Sequence, residues 1–151
     1  MKTVLSGSCT EVIIDTAGPV RIIGESINPT RRKRLISTLQ AGSFDYVIQL
    51  AASQIASGAE ILDVNVGYPG VDDVKLLPET VRALQDKFDI PLCLDSPNPR
   101  AIEAALRAAK GKCIINSVNG EEHSLREILP IAKEYGSAVI ALVMDEDGIA
   151  H

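Results

Sequence analysis

Short apolar runs that each end near a polar residue recur along this chain. They lie at residues 21–25, 60–65, 91–95, 113–116 and 138–145. Amphipathic stretches of helical length separate most of them, and this alternation predicts parallel βα units. The carboxyl ends of parallel strands in such folds meet at one face, where active sites are found. The pattern therefore predicts a buried sheet with polar side chains along one rim.

Residues 3–20 do not follow this rhythm. They alternate loosely and contain turn formers at Ser6-Gly7 and Ala17-Gly18-Pro19, which predict a hairpin ahead of the first core strand. A chain of 151 residues suits one globular unit. We therefore expect a single domain over residues 1–151, with the hairpin over about residues 1–20.

Composition narrows the function classes. The net charge of −5 and the aromatic content of 3% argue against a nucleic-acid-binding surface. No apolar run approaches the roughly 20 residues of a membrane-spanning helix, so we expect no membrane association. The 3 cysteines show no C-x-x-C spacing. We therefore expect a reduced, cytoplasmic protein without a metal site.

Asp95 and Asn116 are polar residues at the ends of two successive predicted strands. A carboxylate there accepts hydrogen bonds from a ligand's amino groups, and a carboxamide offers both a donor and an acceptor. Each residue has a simpler interpretation as well. Asp95 is equally consistent with a capping or loop aspartate. For Asn116, taken by itself, a role in bracing the loop after the strand is slightly favoured.

Four further polar residues lie near the same predicted rim. Asp63 and Asn65 are two apart in one strand, so both face the same side and need partners, either each other or a ligand. Glu25 ends the first predicted strand, and Asn28 follows in the next loop. We expect Glu25 and Asn28 to border the same site.

The motifs at these positions occur together and in order. They are Gly24–Asn28, Leu62–Gly67, Leu92–Ser96, Ala101–Leu106, Ile115–Ser117 and Val143–Gly148. In this combination the chain strongly resembles the pterin-binding methyltransferases. That family includes methyltetrahydrofolate:corrinoid protein methyltransferases and the folate domain of cobalamin-dependent methionine synthase. The resemblance implies a (β/α)8 TIM barrel of the dihydropteroate synthase-like type, with pterin bound in its mouth.

The resemblance also implies roles for the candidate residues. Asp95 and Asn116 would hydrogen-bond the pterin ring, and Asn65 and Asp63 would lie in the same pocket. Methyltetrahydrofolate would be the methyl donor. The acceptor would be the cobalamin of a partner corrinoid protein.

One large difference separates the chain from this family. The sequence given ends after the fifth strand, at about the first five βα units of a barrel. The family's sixth-strand aspartate and seventh-strand asparagine have no counterpart here. We therefore assign no catalytic residue, expect incomplete activity from this chain alone, and expect its open strand edges to promote self-association.

Two alternatives stay open. Dihydropteroate synthases share the barrel and its Asp and Asn strand ends, although their second-strand loop and Gly-rich signatures differ from this sequence. A five-stranded flavodoxin-like binding module, which is not an enzyme, would be complete at this length. Strand order separates them, since a barrel keeps the order 1-2-3-4-5 and a flavodoxin-like sheet has 2-1-3-4-5.

The segment Arg31–Arg34 contains the densest cluster of charge. A solvated helix face is its favoured interpretation. The functional alternative is attraction of an anionic partner, such as the glutamate tail of a folate.

Overall fold

The computed structural model describes residues 2–145 and 148–149. A hairpin comes first, formed by β1 (Lys2–Ser6) and β2 (Glu11–Asp15). The core strands are β3 (Ile23–Ile27), β4 (Ile61–Asn65), β5 (Leu92–Asp95), β6 (Ile114–Val118) and β7 (Ala138–Ala141). The helices are α1 (Lys33–Gln40), α2 (Asp45–Ala56), α3 (Asp73–Gln85), α4 (Pro99–Ala108) and α5 (Glu122–Glu134). The short strands β8 (Met144–Asp145) and β9 (Gly148–Ile149) pair last.

The five core strands form one parallel sheet in the order β3-β4-β5-β6-β7. This is the strand order of a (β/α) barrel, and it confirms the predicted succession of parallel βα units. The flavodoxin-like alternative is wrong, because that fold places its second strand outside its first.

The two faces of the sheet bury different side chains because strand residues alternate in direction. Apolar residues on the outer face pack in one core with the helices: Leu62, Val64, Leu92, Leu94 and Ile115. On the inner face, Ile61, Cys93 and Ile114 pack against Leu5 and Val12 of the hairpin. The hairpin therefore covers the inner face below the rim.

Backbone contacts fasten the hairpin to the core. Ser6 N donates to Lys112 O at 3.1 Å, and Lys112 N donates to Ser6 Oγ at 2.9 Å. The Asp89 carboxylate accepts hydrogen bonds from the backbone N of Ser8 and from Thr10 Oγ1. The hairpin over residues 2–15 is therefore fastened to the loops before β5 and β6.

Two predicted strand ends are wrong. β3 extends to Ile27 through an irregular pairing between Gly24 and Ile27, so Glu25 lies within the strand and is exposed. The fifth core strand, β7, stops at Ala141 rather than at residue 145, and Met144–Asp145 instead form β8, where Met144 O accepts from Gly120 N at 2.7 Å. An apolar run alone does not reveal a bulge or a turn of this kind.

The helix starts follow local capping chemistry. The Asn98 side chain accepts from Arg100 N, with Pro99 at the first helical position. Asp72 caps α3 by accepting from Lys75 N. None of the helices in the described part of the chain is both long and apolar enough to cross a bilayer. The motif Val143–Gly148 includes residues 146–147, which lie outside the described residues.

Candidate functional site

Three polar side chains stand side by side near the carboxyl ends of the central strands. Asn65 of β4 is paired with Asp95 of β5, and Asp95 is paired with Asn116 of β6. Paired residues of neighbouring strands share a face, so this row lies on the inner face. The sheet therefore brings together three of the predicted site residues.

Asn65 braces Asp95. Its Nδ2 donates to Asp95 Oδ2 at 2.8 Å, while its Oδ1 accepts from Gly67 N at 2.8 Å. Both ends of the Asn65 amide are thus engaged within the chain. Among the described residues, Asp95 Oδ1 receives no hydrogen bond from the protein, which leaves it as an acceptor for a ligand.

Asp63 lies one inner-face position below Asn65 on β4, in register with Cys93. Its Oδ1 accepts a hydrogen bond from Asn116 Nδ2 at 3.1 Å. Burial raises the pKa of this carboxyl. The hydrogen bond from Asn116 opposes the rise, and the charges of Asp95 and Glu25 add to it. Asp63 and Asn65 do not hydrogen-bond to each other, because the partner of Asp63 is Asn116 and the partner of Asn65 is Asp95.

A cleft of about 280 Å³ opens beside Asp95 and Asn116, between the loops that follow β5 and β6. Its ionisable lining residues are Asp95, Glu121, His123 and Glu127. His123 Nδ1 lies 3.3 Å from Glu127 Oε1, and none of the described lining residues is Lys or Arg. The cleft is therefore rich in hydrogen-bond acceptors and suits a ligand edge that carries N–H donors.

Comparison with known proteins assigns the family. A model of the family described as pterin binding enzyme matches residues 24–150. The chain belongs to the pterin binding enzyme family. The predicted resemblance is thereby confirmed at the level of the family.

Curated relatives of this chain include methionine synthases. The chain is 32% identical over 136 residues to the methionine synthases of Mycobacterium tuberculosis and of Mycobacterium leprae. Each alignment covers 87% of this chain and 11% of the relative. The chain therefore spans a small part of the length of these relatives.

Solved structures with a similar fold include dihydropteroate synthases. The Yersinia pestis enzyme, determined with a pterine-sulfa conjugate, superposes with a TM-score of 0.64 at 22% identity. The match covers 94% of this chain and 50% of that one. The Vibrio fischeri ES114 enzyme gives 0.63 at 17% identity, covering 94% and 49%. These likenesses confirm the barrel fold, and the chain corresponds to about half of each barrel.

Glu25 and Asn28 are less closely joined to this pterin-family site. Glu25 is exposed, and its link to the row is the effect of its charge on the pKa of Asp63. Asn28 Oδ1 accepts from Thr30 N at 3.0 Å, which is a local turn contact. Pterin contacts for both residues, and for Asp63, Asn65, Asp95 and Asn116, stay predictions.

Sequence reasoning missed part of the cleft lining. The sequence pattern did not single out His123, Glu121 or Glu127, which all border the cleft; the His123 side chain is 77% exposed. The available signal was their position directly after a strand whose end carries Asn116. Asp73 was also missed as a brace, since it accepts from Ser96 Oγ at 3.0 Å and from Asn98 Nδ2 at 2.8 Å.

The remaining reactive or charged groups lie outside the cleft. Cys93 and Cys113 are buried, which raises the pKa of both thiols. Arg34 is exposed and places its guanidinium 4.1 Å from the ring centre of Tyr46, so the two side chains stack at the surface. Recognition of an anionic partner by Arg31–Lys33 stays a prediction.

No group of three potential metal ligands occurs among the described residues.

Proposed function

We propose that this domain binds a reduced folate in the rim cleft and serves methyl transfer from methyltetrahydrofolate to a corrinoid protein. The observation that carries the proposal is the arrangement of Asp95 and Asn116. Each is held by a hydrogen bond to a neighbour, Asn65 or Asp63, while it borders the cleft. The identity of 32% to methionine synthases supports the choice of reaction.

The proposed recognition uses complementary hydrogen bonds. A pterin ring has an edge with an amino group and ring N–H groups, which are donors. Asp95 Oδ1 and Asn116 Oδ1 supply acceptors, and hydrogen bonds to a carboxylate are stronger than neutral ones. Since Asn65 and Asp63 hold these two side chains in position, little conformational freedom is lost on binding.

The transfer itself needs a better leaving group at N5. The methyl–N5 bond breaks with its electron pair remaining on N5, and N5 takes up a proton as tetrahydrofolate forms. A corrinoid carried by a partner protein would supply the nucleophile that receives the methyl group. The residues of this chain bind and orient the folate. No catalytic acid is assigned among them.

A second candidate is dihydropteroate synthesis, because two of the solved barrels of similar fold are dihydropteroate synthases. That reaction displaces diphosphate from a pterin, so its substrate is strongly anionic. The carboxylates of Asp95, Glu121 and Glu127 border the cleft. The described lining contains no Lys or Arg that would balance their negative charge. This negative charge disfavours binding of a diphosphate, which counts against the synthase reaction.

Calorimetry with two ligands tests the choice. We expect the chain to bind 5-methyltetrahydrofolate and to bind a dihydropterin diphosphate more weakly. Asp95→Ala should weaken folate binding, and Asp86→Ala, at an exposed ion pair with Lys110, is the matched control. With a corrinoid protein added, methyl transfer followed by absorbance should depend on Asp95. Tighter binding of the diphosphate would instead support the synthase.

A further inference from the structure

Asp63 is a buried carboxyl that does not border the cleft. It is 2% exposed, and the cleft is lined by its hydrogen-bond partner Asn116 instead. Oδ1 accepts from Asn116 Nδ2, whereas Oδ2 is buried without a hydrogen-bond partner among the described residues. A buried carboxyl with one unpaired oxygen is costly. Direct contact with a ligand in the cleft does not explain its position.

The hydrogen bond determines which way the Asn116 amide faces. Asn116 Nδ2 is the donor and Asp63 Oδ1 the acceptor, so the nitrogen end of the amide faces Asp63. The carbonyl oxygen is then directed away from Asp63. Since Asn116 lines the cleft, its oxygen is the end available to a ligand.

The bond also links strands that are not neighbours. Asp63 lies on β4 and Asn116 on β6, with β5 between them. Asp63 is in register with Cys93, and Asn116 is in register with Asp95. The contact therefore crosses β5 diagonally from the buried layer to the rim. Because β4 and β6 are not paired with each other, this side-chain hydrogen bond is a direct link between them.

We propose that Asp63 is a positioning residue that acts through Asn116, holding its amide so that the carbonyl oxygen accepts an N–H of the ligand. This inference rests on the proposed function, because it assumes a pterin in the cleft. Without Asp63 the amide can rotate and present its NH2 group, which matches a donor edge poorly. Asp63 thus sets specificity for ligands that offer a donor at this point.

A double-mutant cycle tests the inference with 5-methyltetrahydrofolate as the probe. The variants of the whole chain are Asp63→Leu, Asn116→Ala and the two combined, with affinity measured by calorimetry. We expect Asp63→Leu to weaken binding about tenfold, as the loss of one oriented hydrogen bond implies. In the Asn116→Ala background the same change should have almost no effect, because its target is already gone.

A conservative variant separates positioning from folding. Asp63→Asn keeps an oxygen that can accept from Asn116, so its affinity should stay within about threefold of the wild type. Its binding should be retained even if Asp63→Leu fails to fold. Equal losses from Asp63→Leu with and without Asn116, or a loss in Asp63→Asn as large as in Asn116→Ala, would overturn the inference.

The outcome for the proposed function is distinct. Binding by the wild type together with an unchanged affinity in Asp63→Leu refutes the positioning role and leaves folate binding intact. Failure of the wild type to bind any reduced pterin refutes both.

Discussion

The amide nitrogen of Asn65 lies 2.8 Å from Oδ2 of Asp95, and the two residues are paired in the register of β4 and β5. Because Asn65 also accepts from Gly67 N, its amide is used within the protein. Asp95 keeps one oxygen for a ligand. The two residues should therefore differ in their effect on ligand binding, although both are polar and adjacent.

Alanine substitutions should reveal this difference. Asp95→Ala and Asn116→Ala should each weaken folate binding by about 1–3 kcal/mol, since a buried donor of the ligand loses its acceptor. Asn65→Ala should cost less, because it removes a brace and leaves the Asp95 carboxylate in place. Calorimetry on the three variants measures the order. A loss for Asn65→Ala that exceeds the loss for Asp95→Ala would contradict the assigned roles.

The sequence predicted the row at the rim better than the contacts within it. Asp95, Asn116 and Asn65 share one row because strands in sequence order keep alternating side chains aligned. Glu25 was wrongly predicted to end its strand, because the irregular pairing between Gly24 and Ile27 cannot be recognised from the order of apolar and polar residues. The bond between Asp63 and Asn116 depends on packing across three strands, which local spacing does not reveal.

Contacts between segments that lie far apart in the chain could not be predicted from local sequence patterns either. The turns in the sequence predicted the hairpin. They did not predict that Leu5 and Val12 pack against β4, β5 and β6, which lie far along the chain. Nothing in the local pattern of residues 2–15 specifies that partner. The cleft residues after β6 were missed for a similar reason, since they approach Asp95 only when the sheet is assembled.

Stability should depend on pH through Asp63. Its folded pKa is raised above the ordinary aspartate value of 3.8, mainly by burial. The stability linked to this group is therefore fully present below 3.8 and is lost as pH rises through the folded pKa. Relative to Asp63→Asn, the wild type should lose free energy of unfolding as pH increases. Urea unfolding of both proteins over a pH series measures the difference.

Asp89 supplies a control of opposite sign. Backbone hydrogen bonding, led by Cys9 N, lowers its pKa below 3.8. Its contribution is present above 3.8 and is lost as pH falls through the folded pKa. Relative to Asp89→Asn, the wild type should therefore lose stability on acidification. Parallel pH trends for the two pairs of proteins would contradict the assigned environments.

Gly111 should be far less tolerant of a side chain than Gly136. Both have positive φ, at 84° and 62°. A Cβ at Gly111 would collide with the carbonyl oxygens of Ser6 and Gly7, whereas a Cβ at Gly136 meets nothing within 4 Å. Gly136→Ala should cost about 1–2 kcal/mol of backbone strain. Gly111→Ala should cost about 1–3 kcal/mol more because of the collision, and equal losses in denaturant unfolding would contradict close contact with the hairpin.

The 151-residue polypeptide should associate through the outer strands of its sheet. Within the described residues, β3 and β7 each pair with one neighbour only. Exposed apolar residues lie near them, with Val20 at 90%, Ile22 at 51% and Val143 at 76%. Unpaired backbone groups beside apolar side chains favour pairing with another chain. Sedimentation velocity over a concentration series should therefore show species larger than a monomer.

Charge placed at one edge should reverse this association. Ile22→Glu introduces a carboxylate beside β3, which disfavours a strand partner there. Ala52→Glu adds the same charge at an exposed position of α2 and is the matched control. We expect Ile22→Glu to shift the distribution toward monomer and Ala52→Glu to leave it unchanged, with similar circular dichroism for both. A wild-type chain that stays monomeric at all concentrations, or equal shifts in the two variants, would show that the strand edges do not drive association.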